Sequence, residues 1–345
     1  MSAKETYYVG EQSLTFPKDV YLISSASVVG KKEGEGPLGQ AFDMVCEDDK
    51  FGEDTWEKAE SSLQKEALAL ALGKAKLEPE DVRYLFAGDL LGQTIATSFG
   101  VMDYQIPLFG LYGACSTAGE SLSLASMCIG AGYAKHVAAL TSSHFASAEK
   151  QFRYPLEYAN QRPVSATWTV TGSGAFLLSS TKSRVRITGI TTGKIVDMGI
   201  KDSMNMGAAM APAAADLIAQ NLEDFQRTPQ DYDKIVTGDL GYVGQEILIV
   251  LLKKKKIDIS GVHEDCGILI FDKDTQGTGS GGSGCGCSAT TLSAHYLPML
   301  EEGTLKRILF VPTGALLSTV SFNEGQTVPG IAHGVVIEHV SQEEK

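Results

Sequence analysis

Residues 111–125 read Leu111-Tyr-Gly-Ala-Cys115-Ser-Thr-Ala-Gly-Glu120-Ser-Leu-Ser-Leu-Ala125, and no helix breaker follows until Gly130. Leu122, Leu124, Ala125, Met127, Cys128 and Ile129 are apolar around almost the whole circumference, the pattern of a helix buried on all sides rather than amphipathic. Cys115 then stands at the N-terminus of a buried central helix. Unpaired N–H groups and the macrodipole at such a position favour a thiolate or a bound anion. For the residue taken alone, a free cysteine that simply fills space is the plainer reading. Its role therefore turns on its surroundings.

Working outward, residues 20–29 (Val-Tyr-Leu-Ile-Ser-Ser-Ala-Ser-Val-Val) predict a buried strand, and residues 30–50 a glycine- and charge-rich loop. Asp54 and Glu57 have the spacing of a capping box that opens a helix. Trp56, Ala59, Leu63, Ala67 and Leu70 follow at helical spacing towards Gly73, a C-terminal stop. Residues 83–89 predict a strand ending in a tight turn, 94–100 a helix and 136–144 a buried strand. A polar, aromatic-rich excursion over 145–168 precedes two more strands, at 171–178 and 184–190.

The second half repeats these events. Ala87-Gly-Asp-Leu-Leu-Gly-Gln93 is echoed by Thr237-Gly-Asp-Leu-Gly-Tyr-Val-Gly-Gln245, and Cys115-Ser-Thr-Ala-Gly-Glu-Ser-Leu-Ser123 by Cys285-Gly-Cys-Ser-Ala-Thr-Thr-Leu-Ser293. The strand at 136–144 answers Arg307-Ile-Leu-Phe-Val-Pro-Thr-Gly314, and residues 172–178 answer 334–338. Four matches in one order indicate an internal duplication of a β/α unit, with a period too long for a solenoid, whose repeats run roughly 20–50 residues. Two copies about a pseudo-twofold, each with a buried central helix, give a layered α-β-α-β-α architecture. The halves are residues 1–190 and 191–345, forming one compact unit.

Composition narrows the function classes. A net charge of −13 argues against a nucleic-acid partner and against simple electrostatic docking on anionic lipid. The N-terminal Met-Ser-Ala-Lys-Glu lacks a signal pattern, and no apolar run approaches the roughly 20 residues of a membrane span; a cytosol-like compartment is expected. Cysteines 46, 115, 128, 266, 285 and 287 and the six histidines show no ligand spacing, so reduced thiols and no structural metal are expected. The lysines at 253–256 read as the solvated end of a helix. Met198, Met204, Met206 and Met210 read as packing between halves or subunits. Residues 277–286 lack the Gly-Lys-Ser/Thr ending of a phosphate loop.

The duplicated unit with a cysteine opening its first central helix resembles the thiolase superfamily, which includes thiolases and β-ketoacyl-acyl-carrier-protein synthases. The matches are Gly113-Ala-Cys115, Ala71-Leu-Gly-Lys-Ala-Lys-Leu-Glu-Pro-Glu-Asp-Val82 and Thr171-Gly-Ser-Gly-Ala175. More closely, Gly113-Ala-Cys-Ser-Thr-Ala-Gly-Glu120, Tyr158-Ala-Asn-Gln-Arg-Pro163 and residues 277–287 resemble the stage V sporulation protein AD family of spore-forming bacteria. The wider resemblance implies a nucleophilic cysteine aided by His-Asn or His-His partners and an oxyanion hole. The position for the first histidine falls in Thr237-Gly-Asp-Leu-Gly241, where Gly238 and Asp239 stand. The second partner should lie within 279–287, which holds only glycine, serine and cysteine. An ionised aspartate only accepts hydrogen bonds and cannot replace a neutral imidazole donor, so Claisen condensation is not expected.

The closer resemblance implies a different role, that of a non-catalytic protein binding pyridine-2,6-dicarboxylate (dipicolinic acid), free or as its calcium chelate. It would serve uptake into the developing spore with membrane-embedded proteins of the same operon. It also implies synthesis in the forespore cytoplasm and peripheral association with the inner spore membrane; the wider resemblance implies a homodimer through the central sheet, and no cofactor is expected. The expected ligand site gathers Cys115, Ser116, Ser283 and Thr313, with His144 and His333 near its mouth. Asp89 and Asp239, related by the duplication, read as caps of equivalent turns or, for one of them, as a calcium ligand of the chelate. A cysteine-dependent acyltransferase or thioesterase using Cys115 is the alternative. A structural subunit with a vestigial pocket is a third reading.

Overall fold

The computed structural model describes residues 6–152, 157 and 161–341. Residues 158–160 of the Tyr158-to-Pro163 segment lie outside the described residues. Ten strands run along one continuous sheet: β1 (Val20–Gly30), β2 (Tyr84–Gly88), β3 (Leu108–Leu111), β4 (His136–Ser143), β5 (Gly172–Ser179), β6 (Val185–Thr191), β7 (Lys234–Thr237), β8 (His263–Asp265), β9 (Arg307–Val311) and β10 (Gly334–His339). Their spatial order is β8-β7-β9-β10-β6-β1-β5-β4-β2-β3. Counted within each half, both sets therefore run third, second, fourth, fifth, first. The two first strands meet antiparallel at a short seam, where Tyr21 pairs with Arg186. Because β6 opens the second set, that set begins ahead of residue 191.

Three apolar clusters mark the layers. Val137 and Ala139 of β4, Phe176 and Leu178 of β5, Ile308 and Phe310 of β9, and Val335 and Ile337 of β10 face one central core. It holds the central helices α2 (Thr117–Gly130) and α6 (Cys285–Thr291) through Ala118, Leu122, Ala125, Cys287 and Ala289. The alternate residues Ala138, Leu140, Ala175 and Leu177 face α1 (Trp56–Ala75). Leu309, Val311 and Val336 face α4 (Met206–Asp224) and α5 (Gly241–Lys254). Strand side chains alternate between faces. With both faces covered, the strands read as unbroken apolar runs. The result is the thiolase-like α-β-α-β-α fold with its duplicated halves.

Local details depart from the sequence reading. Helix α1 is capped by Thr55, whose side chain accepts from the Lys58 N–H, and not by Asp54. It continues past Gly73 to a left-handed Lys76 at φ +55°. The 30–50 loop contains a helical turn (Lys31–Gly34) and a strand (Met44–Cys46) paired with β1. The 145–168 excursion contains helix α3 (Phe145–Phe152). Met198 is exposed, whereas Met210 is fully buried.

A further echo becomes visible once the halves are superposed by topology. Glu78-Pro-Glu-Asp81 and Thr228-Pro-Gln-Asp231 form equivalent 3-10 turns, each closed by a reciprocal capping box, leading into β2 and β7.

Behind β4 lies a buried polar chain. Glu60 accepts hydrogen bonds from Ser142 (2.9 Å) and Ser147 (2.6 Å). The Gln64 amide donates to Ser142 and Thr97, and Thr97 in turn donates to Asp89 (2.6 Å). Burial first, and then the Asp89 charge, raise the Glu60 carboxyl from 4.5 to about 8. The folded protein thus keeps a proton that the unfolded chain releases near pH 4.5, and stability falls as pH rises through the window between these values. His263 and His333, pushed down to about 4 by burial, act oppositely below pH 6.5. The comparison with Glu60→Gln isolates the carboxyl: in denaturant titrations at pH 5, 6, 7 and 8, the variant is expected to gain stability relative to the parent as pH rises. A gap independent of pH would refute the assignment.

Candidate functional site

Cys115 does not lie in the first turn of α2. It precedes the helix in a tight turn in which Ser116 N–H donates to Gly113 O and Thr117 N–H to Ala114 O. Ala114 takes a left-handed φ of +50°, a conformation costly for a residue with a Cβ and retained where surrounding packing enforces it. The turn projects the thiol towards the equivalent end of α6, and Cys115 and Cys285 fall in one small cluster with Leu90 and Ala148. Cys285 is itself engaged, its thiol donating to Ser142 O.

Asp239 faces Cys115. It is fully buried and accepts from Thr313 Oγ1 (2.6 Å), Ser283 Oγ (3.1 Å) and Gly284 N (3.1 Å). The Cys115 thiol lies within electrostatic reach of this carboxylate. Ser283 Oγ lies 3.9 Å from the sulfur. The Gly284 amide reaches the carboxylate because its φ is +110°, and a Cβ there would stand 2.5 Å from Ser143 Oγ. Ser283 is fixed by its short parallel pairing with Thr169. Burial, then the Asp239 charge, push the Cys115 thiol well above its ordinary range. The expected activation at a helix N-terminus is therefore corrected: this sulfur is a buried thiol held beside a carboxylate, because desolvation and a like charge both oppose its ionisation.

Of the eight sequence-derived residues, the structure brings together Cys115, Asp239, Ser283 and Thr313. Ser116 is buried beside them but donates to Gly113 O at 2.7 Å, closing its own turn. Asp89 does cap its turn, accepting from Leu91 N and Thr97 N. Asp239 does not cap its own. That capping role passes to Asp265, which accepts from Leu240 N, Gly241 N and Thr237 Oγ1. The duplication thus preserved two residues and divided their roles. His333 is elsewhere, its ring accepting from Gly193 N at 3.5 Å.

His144 is also removed from the sulfur. It bonds Asp49 O at 2.8 Å, accepts from Ala146 N and lies against Trp56. Among the described residues, no histidine has a hydrogen bond to Cys115, Asp239 or Ser283. Nor, among those residues, are three or more His, Cys, Asp or Glu side chains grouped to hold a metal ion.

Two spaces flank this region. The chamber at Cys115 is lined by Leu90, Phe152, Met206, Ser283, Ala315 and Leu317 and holds about 20 Å³. That is room for one water molecule. Beyond its wall a cleft of about 440 Å³ is lined by Lys32, Glu33, Trp56, His144, Phe145 and Trp168. Sequence reasoning missed Phe152 and Met206, which plug the chamber, and it missed the cleft. The available signal was that the chain has two tryptophans and both line that cleft.

Comparison with known proteins places this geometry. The sequence profile of the family "Stage V sporulation protein AD (SpoVAD)" matches residues 10–338. The chain belongs to the stage V sporulation protein AD family. It is 45% identical over 329 residues to stage V sporulation protein AD of Bacillus subtilis (strain 168), covering 95% of this chain and 97% of that protein. The fold is shared with condensing enzymes. The 3-oxoacyl-[acyl-carrier-protein] synthase III of Aquifex aeolicus aligns with a TM-score of 0.56 at 14% identity, over 93% of this chain and all of that one. Cerulenin-bound OleA of Xanthomonas campestris aligns with a TM-score of 0.60 at 13% identity, over 93% and 99% of the two chains. These likenesses establish the fold and a sporulation-family membership. Among the described residues no helix is long and apolar enough to cross a membrane.

The buried thiol has a chemical consequence. At pH 7.5 Cys115 is expected to react with iodoacetamide at least about tenfold more slowly than a free cysteine thiol, because burial and the Asp239 charge suppress its ionisation. Peptide mapping after timed alkylation measures this. Modification as fast as that of Cys46, the half-exposed cysteine, would contradict it.

Proposed function

We propose that this member of the stage V sporulation protein AD family is a non-catalytic binding protein for pyridine-2,6-dicarboxylate, free or as its calcium chelate. In this reading it acts in uptake of the compound into the developing spore with membrane-embedded proteins of the same operon. It is made in the forespore and held peripherally at the inner spore membrane. The observation that carries the non-catalytic part is the partner of Cys115: a buried aspartate already holding Thr313, Ser283 and Gly284. Condensation needs a donor to polarise a thioester carbonyl and a base to take a proton. A carboxylate in Asp239's position supplies no donor when ionised, and the chamber of about 20 Å³ admits no acyl chain. The ligand part rests on the family resemblance.

A homodimer is part of the proposal. The sheet ends at β3, and large apolar side chains lie on and next to that edge strand: Leu108 is 40% exposed, Phe109 51% and Tyr112 47%. An open apolar strand edge is a template for pairing with another chain, and a second copy offers the same edge in antiparallel sense about a twofold.

Two experiments test this reading. In calorimetric titration with dipicolinate, with and without calcium, saturable heat is expected. After incubation with acyl-CoA, intact-mass measurement should show no adduct. An adduct abolished by Cys115→Ser would establish the acyltransferase reading instead, and neither heat nor adduct would leave the structural-subunit reading. For the dimer, Phe109→Lys is expected to shift the sedimentation mass from two chains to one. A wild-type protein sedimenting as a single chain would reject the dimer.

A further inference from the structure

The lysines at 253–256 lie at the amino ends of the parallel strands, opposite the chamber. Helix α5 leaves the carboxyl end of β7 and returns to the amino end of β8, its parallel neighbour. Lys253 and Lys254 close the helix, and Lys255 and Lys256 follow it. Asp239 and Thr313, by contrast, stand just past the carboxyl ends of β7 and β9, which also run parallel. A contact made through the lysines therefore leaves the chamber side uncovered.

All four lysines are exposed. Among the described residues none of them is within ion-pair distance of a carboxylate. One or two cations in the last turn suffice to oppose the dipole of α5, and Lys255 and Lys256 lie beyond that turn. Two carboxylates share the groove beside them, Glu223 and Asp258. Asp258 Oδ1 already accepts from Ser260 N (3.0 Å) and Ser260 Oγ (2.7 Å). Arg227 lines the same groove but is engaged, standing 3.7 Å from Glu338 and donating to the Tyr232 hydroxyl. Glu246, exposed on the same face of α5, lies two turns back from Lys253, about 10 Å along the helix axis. At physiological ionic strength fields decay over about 8 Å. A surface touching this rim therefore meets four lysines against two carboxylates, and not the net charge of −13 carried by the whole chain.

We propose that this lysine rim is a docking surface for an anionic phospholipid bilayer. The inference rests on the peripheral-membrane part of the reading above and names the surface that makes the contact. Lysine suits a bilayer, because its ammonium is a hydrated point charge on a flexible stem. Recognition of one fixed carboxylate or phosphate is better served by the planar fork of arginine. Clusters of four or more basic side chains are drawn to anionic leaflets, and lysine stems cover apolar surface while their charged heads stay in water. Val250 is 52% exposed and sits one turn ahead of Lys253 and Lys254, on the same helix face. It presents an apolar side chain among the lysine stems.

Sedimentation of the full-length protein with vesicles tests this. Binding is expected to vesicles of phosphatidylglycerol and phosphatidylcholine in equal parts, not to phosphatidylcholine alone, and it should weaken as salt is added. Each lysine near an anionic surface contributes about fivefold to partition. Replacing the four together (Lys253→Gln, Lys254→Gln, Lys255→Gln, Lys256→Gln) should therefore weaken binding by about a hundredfold or more. Val250→Ser should weaken it about threefold. A control set, Lys18→Gln, Lys58→Gln, Lys76→Gln and Lys135→Gln, removes the same charge from exposed positions of the first half and should bind within about threefold of the parent. Thermal melts verify that each variant is folded.

Parent protein left in the supernatant with the anionic vesicles would overturn the docking surface. Binding kept by the rim variant, or lost equally in the control set, would do so too. Recovery with inner spore membranes but not with protein-free vesicles would assign the contact to a membrane protein, overturning the lipid surface while leaving peripheral association intact. None of these results bears on dipicolinate binding, which the calorimetric titration decides separately.

Discussion

A carboxylate removed from water must be met by donors, or its burial costs more than the fold can offset. Asp239 is such a group, and its donors come from separate parts of the chain: Thr313 after β9, and Ser283 and Gly284 ahead of α6. Meeting that single requirement ties the start of α6 to the ends of two strands of the second half. It also determines the chemistry of the sulfur. Beside the sulfur stands an acceptor with its donors already supplied. Burial and that neighbouring charge keep the cysteine a thiol.

The duplication has been put to unequal use. Asp89 and Asp239 follow equivalent strands, yet the first remains a local cap joined to a buried chain through Thr97, Gln64, Ser142 and Glu60. The second reaches across the pseudo-twofold, and Asp265 closes the turn it left. Cys115 and Cys285 diverged similarly, one facing Asp239 and the other bonded to Ser142 O. The chamber at Cys115 is filled by Phe152, Met206 and Leu317, and a larger open volume lies in the neighbouring aromatic cleft.

The layered fold was legible because it depends on patterns that sequence carries directly. Strands buried on both faces appear as apolar runs at 136–143, 172–179 and 307–311, and helix α2 as a segment apolar all round. The repeat was readable because matched glycines, aspartates and cysteines recur in one order. Half of the expected site was also legible: Cys115, Asp239, Ser283 and Thr313 come together. Ser116, Asp89, His144 and His333 do not, since a side chain's position near an element's end leaves open which way it points.

What the sequence alone determined, then, is the architecture and the family, both of which follow from residue identity and spacing. Only the tertiary structure decided the rest. It showed that Asp239 turns towards Cys115 while Asp89 turns away, and that Phe152 and Met206 leave the chamber room for a single water. It also showed that Trp56 and Trp168, 112 residues apart in the numbering, line one cleft. These are outcomes of long-range packing, where the direction of a side chain depends on neighbours contributed by the other half, and no local pattern encodes them.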